Sequence, residues 1–197
     1  MEFPSTSETW KRLISLAEST IDIASFYWTL LPESAGSYRG ETTQDGVDIY
    51  NGLIAAAANR SVKLRIVQNA QANNETADLA SKGWAHVRSL NFSNWFPGGV
   101  LHTKFWIVDK KHLYLGSANL DWRALTQVKE LGVGVYNCPC LAEDLTKLME
   151  VYWEMGAPNK QLPSVWPISL ATRYNSTNPL LATLNGQQSA VYISVTV

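Results

Sequence analysis

Over residues 5–155 the chain switches repeatedly between two hydrophobic periods, and this switching restricts the possible folds more than any other feature. Ser5-Thr6-Ser7-Glu8 has the form of a helix-capping box, and Trp10, Leu13, Ile14 and Ala17 follow at helical spacing. Residues 21–31 (IDIASFYWTLL) are β-branched and aromatic and predict a strand. Residues 32–46 read as a Gly/Ser/Thr loop, 47–59 as a helix, 62–67 as an alternating strand, and 73–82 as a polar helix closed by Gly83. A strand is expected over 84–92, then a loop over 93–99 with the turn signal Pro97-Gly98-Gly99. Residues 100–108 and 112–117 predict a hairpin around Asp109-Lys110-Lys111, and 128–136 a further strand. Leu141, Leu145, Leu148, Met149, Tyr152 and Trp153 share one helix face, which Gly156 and Pro158 end. This order predicts an α/β fold, a mixed sheet flanked by helices on both faces, in one unit over residues 1–156. Residues 157–188 are rich in Pro, Asn and Ser and lose the period, while 189–197 (SAVYISVTV) alternate as a strand. The tail, 157–197, is therefore expected to be a connector and the first strand of a missing second unit.

Composition removes several function classes. Apolar residues make up 46% of the chain and charged residues 17%, which excludes a disordered polyelectrolyte. The net charge of -1 argues against a strongly basic nucleic-acid coat, though not against a local basic site. No apolar run approaches the roughly 18 residues of a membrane span, and residues 1–5 do not read as a signal peptide. Four N-x-[ST] sequons begin at Asn59, Asn74, Asn91 and Asn175, and favour a glycoprotein of a secretory-pathway lumen. Cys138 and Cys140 are too close in sequence to pair readily with each other. They are either buried thiols or partners of cysteines outside this sequence.

One constellation carries chemistry. His102 and Lys104 lie two apart on an expected strand, so they share a face, with Asp109 at its end in an H-x-K-x4-D spacing. Gly116-Ser117-Ala118-Asn119 follows on the paired strand, bringing Ser117 and Asn119 to the same sheet end. An imidazole, an ammonium, a hydroxyl and an amide meeting at one point suit a phosphodiester. Imidazole attacks phosphorus or moves a proton near neutral pH. The ammonium balances the non-bridging oxygens, and the hydroxyl and amide donate to charge developing there. No Cys/His/carboxylate cluster with metal-ligand spacing accompanies them, so metal-free, cofactor-free chemistry is expected. His86 and His112 lack this pattern and read as surface residues.

His102, Lys104 and Asp109, with Gly116, Ser117 and Asn119, resemble the HKD signature of the phospholipase D superfamily. Residues 100–132 (VLHTKFWIVDKKHLYLGSANLDWRALTQVKELG) are similar to the animal branch containing phospholipases D3 and D4. Residues 22–28, 136–138, 144–147, 162–164 with 166–167, and 172–175 support that branch, so the resemblance covers nearly the whole chain. It implies one phospholipase D-like catalytic repeat. In such enzymes one histidine forms a phosphohistidine, and a second, from a second HKD motif, protonates the leaving oxygen.

By position His102 takes one of these roles, Lys104 binds phosphate, and Ser117 and Asn119 support it. Asp109 completes the motif in a more structural role. Glu130 matches the carboxylate that orients the histidine through its far nitrogen, the alternative being a surface Lys129/Glu130 pair. The branch implies 5′→3′ exonuclease action on single-stranded DNA or RNA in an endolysosomal or endoplasmic-reticulum lumen, from a membrane anchor this sequence lacks. Trp28, Trp95, Trp106 and Trp122 are candidates for base stacking or for core. The same residues also suit a phospholipase or phosphatidyl transferase. Because only one HKD motif is present, the second must come from the other half of a longer protein or from a homodimer. Without it, the chain would be an inert or partner-binding half. The side meant for that half is expected to be apolar.

Overall fold

A computed structural model describes residues 3–35 and 41–194. Its centre is a six-stranded mixed sheet in the order β4-β3-β1-β5-β6-β8. These strands are β1 (Thr20–Ser25), β3 (Lys63–Asn69), β4 (Ala85–Leu90), β5 (Phe105–Val108), β6 (His112–Gly116) and β8 (Gly132–Val135). The β1, β3 and β4 strands run parallel, and β5, β6 and β8 join antiparallel. A short parallel pair, β2 (Trp28–Thr29) with β7 (Leu120–Asp121), forms a second small sheet.

The helices are α1 (Thr6–Leu16), α2 (Gln44–Arg60), α3 (Asn74–Ser81), α4 (Trp122–Thr126) and α5 (Pro139–Met155). The expected capping box starts α1: Glu8 N–H donates to Ser5 Oγ at 3.1 Å, and Ser5 N–H to the Glu8 carboxylate at 2.6 Å. Strand alternation separates two cores. Ile21, Ile23, Trp106 and Val108 face α1, α2 and α3, where Trp10 stacks on Trp106 at 5.1 Å. Ala24, Val67, Phe105 and Ile107 face Leu141, Leu145, Met149 and Tyr152 of α5. Helices therefore cover both faces, as the alternation of periods requires. The buried Asp22 holds Arg65 through two hydrogen bonds of 2.7 and 2.8 Å, and Glu150 of α5 accepts from the same guanidinium at 2.7 Å. Removing one partner of this group would leave a poorly solvated charge behind.

Four expectations need correction. The strand over 21–31 breaks at Phe26 and Tyr27, because the Trp28 indole donates to Ser25 Oγ at 2.8 Å and turns the chain there. Residues 100–104 are not strand: β1 stops one residue past its Ala24–Phe105 pair and leaves 102–104 without a ladder neighbour on that side. The strand expected over 128–136 shortens to β8, with α4 and a loop before it. Residues 157–188 are not devoid of period. They contain β9 (Leu180–Leu184), paired antiparallel with β10 (Gln187–Val191) around Asn185-Gly186, both at positive φ. Asn-Gly is a favoured hairpin turn, because both of its residues tolerate positive φ. The expected tail strand thus begins earlier, at Gln187, residues 192–194 are outside it, and 195–197 lie outside the described residues. Trp166, Leu180, Val191 and Ile193 of this tail pack on the α5 core.

Candidate active site

At the end of the sheet where β1 finishes, four segments come together. Phe26 and Tyr27 follow β1, His102 and Lys104 precede β5, Gly116 ends β6 with Ser117 to Asn119 after it, and Glu130 precedes β8. The exposed His102 and the buried Lys104 are joined directly. Lys104 Nζ lies 3.1 Å from His102 Nδ1 and also donates to the His102 carbonyl. With the ammonium donating, Nδ1 accepts and a neutral ring carries its proton on Nε2. The segment is held by a backbone bond from Gly116 N–H to Lys104 O at 3.1 Å and by Leu101 N–H to the Asn69 side chain at 3.0 Å. The residue-type logic of the motif therefore survives although its strand does not.

Ser117 and Glu130 form the second direct pair, with Ser117 Oγ donating to Glu130 Oε2 at 2.5 Å while accepting Leu131 N–H at 3.0 Å. Glu130 thus meets Ser117, and no hydrogen bond joins it to His102 among the described residues. Its charge acts on Lys104 instead. Asn119 lies beside the Tyr27 hydroxyl, and its buried Oδ1 has no hydrogen-bond partner. Asp109, grouped with the motif but expected in a more structural role, stands apart from His102 and Lys104. It sits beyond the far end of β5, where its carboxylate accepts backbone N–H groups of Glu18, Ser19 and Thr20 at 2.7–2.8 Å.

Gly116 is a packing residue of the motif, since a Cβ there would strike the Tyr114 ring and Gly132 of β8. Burial, and then the neighbouring Lys104 charge, hold the His102 pKa below the ordinary imidazole value, which leaves a neutral ring near pH 7. Burial also lowers the Lys104 ammonium, against the pull of Glu130.

Of the four tryptophans considered for base stacking, Trp28, Trp106 and Trp122 are buried, and Trp95 packs edge-on to Phe92. The aromatic residues at the site are Phe26 and Tyr27, which the strand reading hid. Phe26 meets the His102 ring at 4.9 Å, and the Tyr27 hydroxyl donates to the buried Asp121 at 3.1 Å. Among the described residues no group of three His, Cys, Asp or Glu side chains is arranged to hold a metal. Both cysteines are free thiols, Cys138 half-buried and Cys140 exposed.

The sequence profile of the PLD3/4, PLD-like domain family matches residues 3–196. The "5'-3' exonuclease PLD3" proteins of Rattus norvegicus and Homo sapiens are 47% and 45% identical, each over 97% of this chain and 39% of their own length. The chain therefore spans well under half of the curated relatives it matches. Among solved structures, the phospholipase D family member Nuc from Salmonella typhimurium superposes with a TM-score of 0.58 at 26% identity, over 75% of this chain and 86% of Nuc. NucT from Helicobacter pylori shares the fold with a TM-score of 0.55 at 22% identity, over 75% of this chain and 84% of NucT. An HKD pair at the open end of a mixed sheet, a profile match along almost the entire chain and these relatives agree: the chain belongs to the PLD3/4, PLD-like domain family.

Proposed function

We propose that this chain is one catalytic half of a phosphodiesterase that degrades single-stranded nucleic acid from the 5′ end. The carrying observation is the contact between Lys104 Nζ and His102 Nδ1 at an accessible sheet end. In the proposed reaction one histidine nitrogen attacks phosphorus, and an N–P bond forms as the P–O bond to the leaving nucleoside oxygen breaks. The partner histidine gives that oxygen its proton. Water, deprotonated by the same partner, then displaces the imidazole and releases the phosphate product. His102 takes one of these two roles. A bound phosphodiester competes for the Lys104 ammonium, which then balances the non-bridging oxygens and loosens its hold on Nδ1. Asn119 offers its amide to the same oxygens, and Glu130 acts through Ser117.

The partner histidine comes from the second half of a longer chain or from a second copy. Exposed Val128, Leu131 and Val133 beside Glu130, with β8 at the sheet edge, support a covered surface there. A luminal setting is part of the proposal and is supported by four exposed sequon asparagines, Asn59, Asn74, Asn91 and Asn175.

The test assays the chain alone and co-expressed with a second HKD half of a relative, on 5′-hydroxyl single-stranded DNA and on phosphatidylcholine, with and without EDTA. The expected result is DNA cleavage by the assembly that survives EDTA and disappears in His102→Ala. Turnover of phosphatidylcholine but not DNA would replace the nuclease by a phospholipase. Absence of turnover and of any phosphohistidine in the assembly would leave an inert half.

A further inference from the structure

Phe26 belongs to neither hydrophobic core, although Ala24, Ser25 and Trp28 close to it in the chain are fully buried. Ser25 and Trp28 on its two sides are buried and bonded to each other, so the chain has no freedom to tuck Phe26 inward. The half-buried ring lies edge-on to Tyr27 at 5.4 Å, tilted 57° to the His102 imidazole at 4.9 Å, and 5.5 Å from Lys104 Nζ. Tyr27 is anchored in turn by Asp121, which also binds Arg123. The aromatic doublet is thus fixed from behind, and its forward contacts are the two side chains of the HKD motif.

We propose that Phe26 is a positioning residue of this site: its ring sets the orientation of the His102 imidazole and the place of the Lys104 ammonium. This rests on the catalytic reading of His102 and Lys104 given above. His102 stands on a segment without ladder partners on the β1 side, and the bond from Lys104 restrains only one atom of its ring. An aromatic neighbour in contact limits the remaining rotation about the side-chain torsions. The same ring offers its negative face to the ammonium, which keeps Nζ near the imidazole while it is shielded from water. Phe26 also covers part of the imidazole, in line with the burial that lowers the His102 pKa, where Lys104 is the charged neighbour that acts on it. Reaction rates are sensitive to displacements of this kind, because a group about 1 Å out of place costs on the order of 10²-fold.

The chain has three histidines, so each imidazole can be followed separately by NMR. In Phe26→Ala and Phe26→Leu the His102 titration midpoint is expected to move up towards the ordinary value, while that of His112 at the other end of β5 stays in place. Phe26→Tyr, which keeps the ring, is expected to retain the parent midpoint. In the assembled enzyme Phe26→Leu should lower kcat roughly tenfold with KM little changed, and Phe26→Tyr should restore it. An unmoved His102 midpoint in folded Phe26→Leu, or a Phe26→Tyr enzyme as slow as Phe26→Leu, overturns the proposal. A midpoint that shifts in a chain whose assembly cleaves no phosphodiester supports the hold of Phe26 on His102 and overturns the catalytic reading alone.

Discussion

At one end of β5 His102 and Lys104 bond to each other, while at the other end Asp109 accepts three backbone N–H groups. These residues belong to one H-x-K-x4-D motif, yet seven residues of extended chain put the two ends about 20 Å apart. The first end is unsaturated: an exposed imidazole, a desolvated ammonium and an aromatic ring outside both cores. The second is saturated, with one carboxylate closing the β5–β6 turn onto the start of β1 through three N–H groups. Asp109 and Lys110 both adopt a φ of +52° in that turn, a conformation Asp tolerates better than most residues. A motif can therefore combine chemistry and architecture, and only the atoms each residue touches separate them.

Substitutions should pull these two ends apart. The largest effect is expected for His102→Ala, which should reduce phosphodiester cleavage by the assembled enzyme about 10²–10⁴-fold while leaving the thermal midpoint unchanged. A variant that unfolds instead would place His102 among the architectural residues. Gly116→Ala should behave in the opposite way. Its Cβ would overlap the Tyr114 ring, for a stability loss of about 1–3 kcal/mol, read by chemical denaturation.

Asp109→Ala strips the carboxylate from three N–H groups and should cost about 1–2 kcal/mol, with activity per folded molecule retained. A collapse of kcat at full stability would move Asp109 to the chemical end. The smallest effect concerns acid. The folded-state pKa of His102 is lowered by burial, so the unfolded chain takes up its proton first as pH falls below about 6.5. His102 thus contributes its full stability above that pH, and the contribution is lost as pH falls from there through the depressed pKa. His112, lowered by burial at the other end of β5, adds a loss of the same sign. Denaturation curves of His102→Gln should show a shallower acid limb, and an unchanged limb would show that the titration of His102 is not coupled to folding.

How far the site was legible follows the same division. The meeting of His102 with Lys104, and the placement of Ser117 and Asn119 at the same sheet end, were readable because the four stand at short spacings on the two sides of one hairpin. The partner of Glu130 was not readable. Whether a carboxylate meets an imidazole or a hydroxyl depends on how the loop before β8 approaches β6, and here it meets Ser117. The tryptophans were misleading candidates: a large indole near an active edge is as useful to the core as to a base, and Trp28 and Trp106 fill the core. Phe26 and Tyr27 were hidden inside an apparently continuous strand, because the bond that ends β1 joins two side chains, Ser25 and Trp28.

The sequence by itself determined the capping of α1, the buried face of α5, the alternating strands and hence a sheet covered on both sides. These follow from backbone periodicity and near-neighbour hydrogen bonds, which a linear chain encodes within a few residues. Tertiary structure alone decided the strand order, the retreat of His102 and Lys104 from the ladder, the pairing of Glu130 with Ser117 and the placement of Phe26 against the imidazole. Each depends on a contact between segments far apart in the chain, such as β1 with β5 and β6 with β8. The free energy of such a contact exists only once the sheet has closed, so no local pattern carries it.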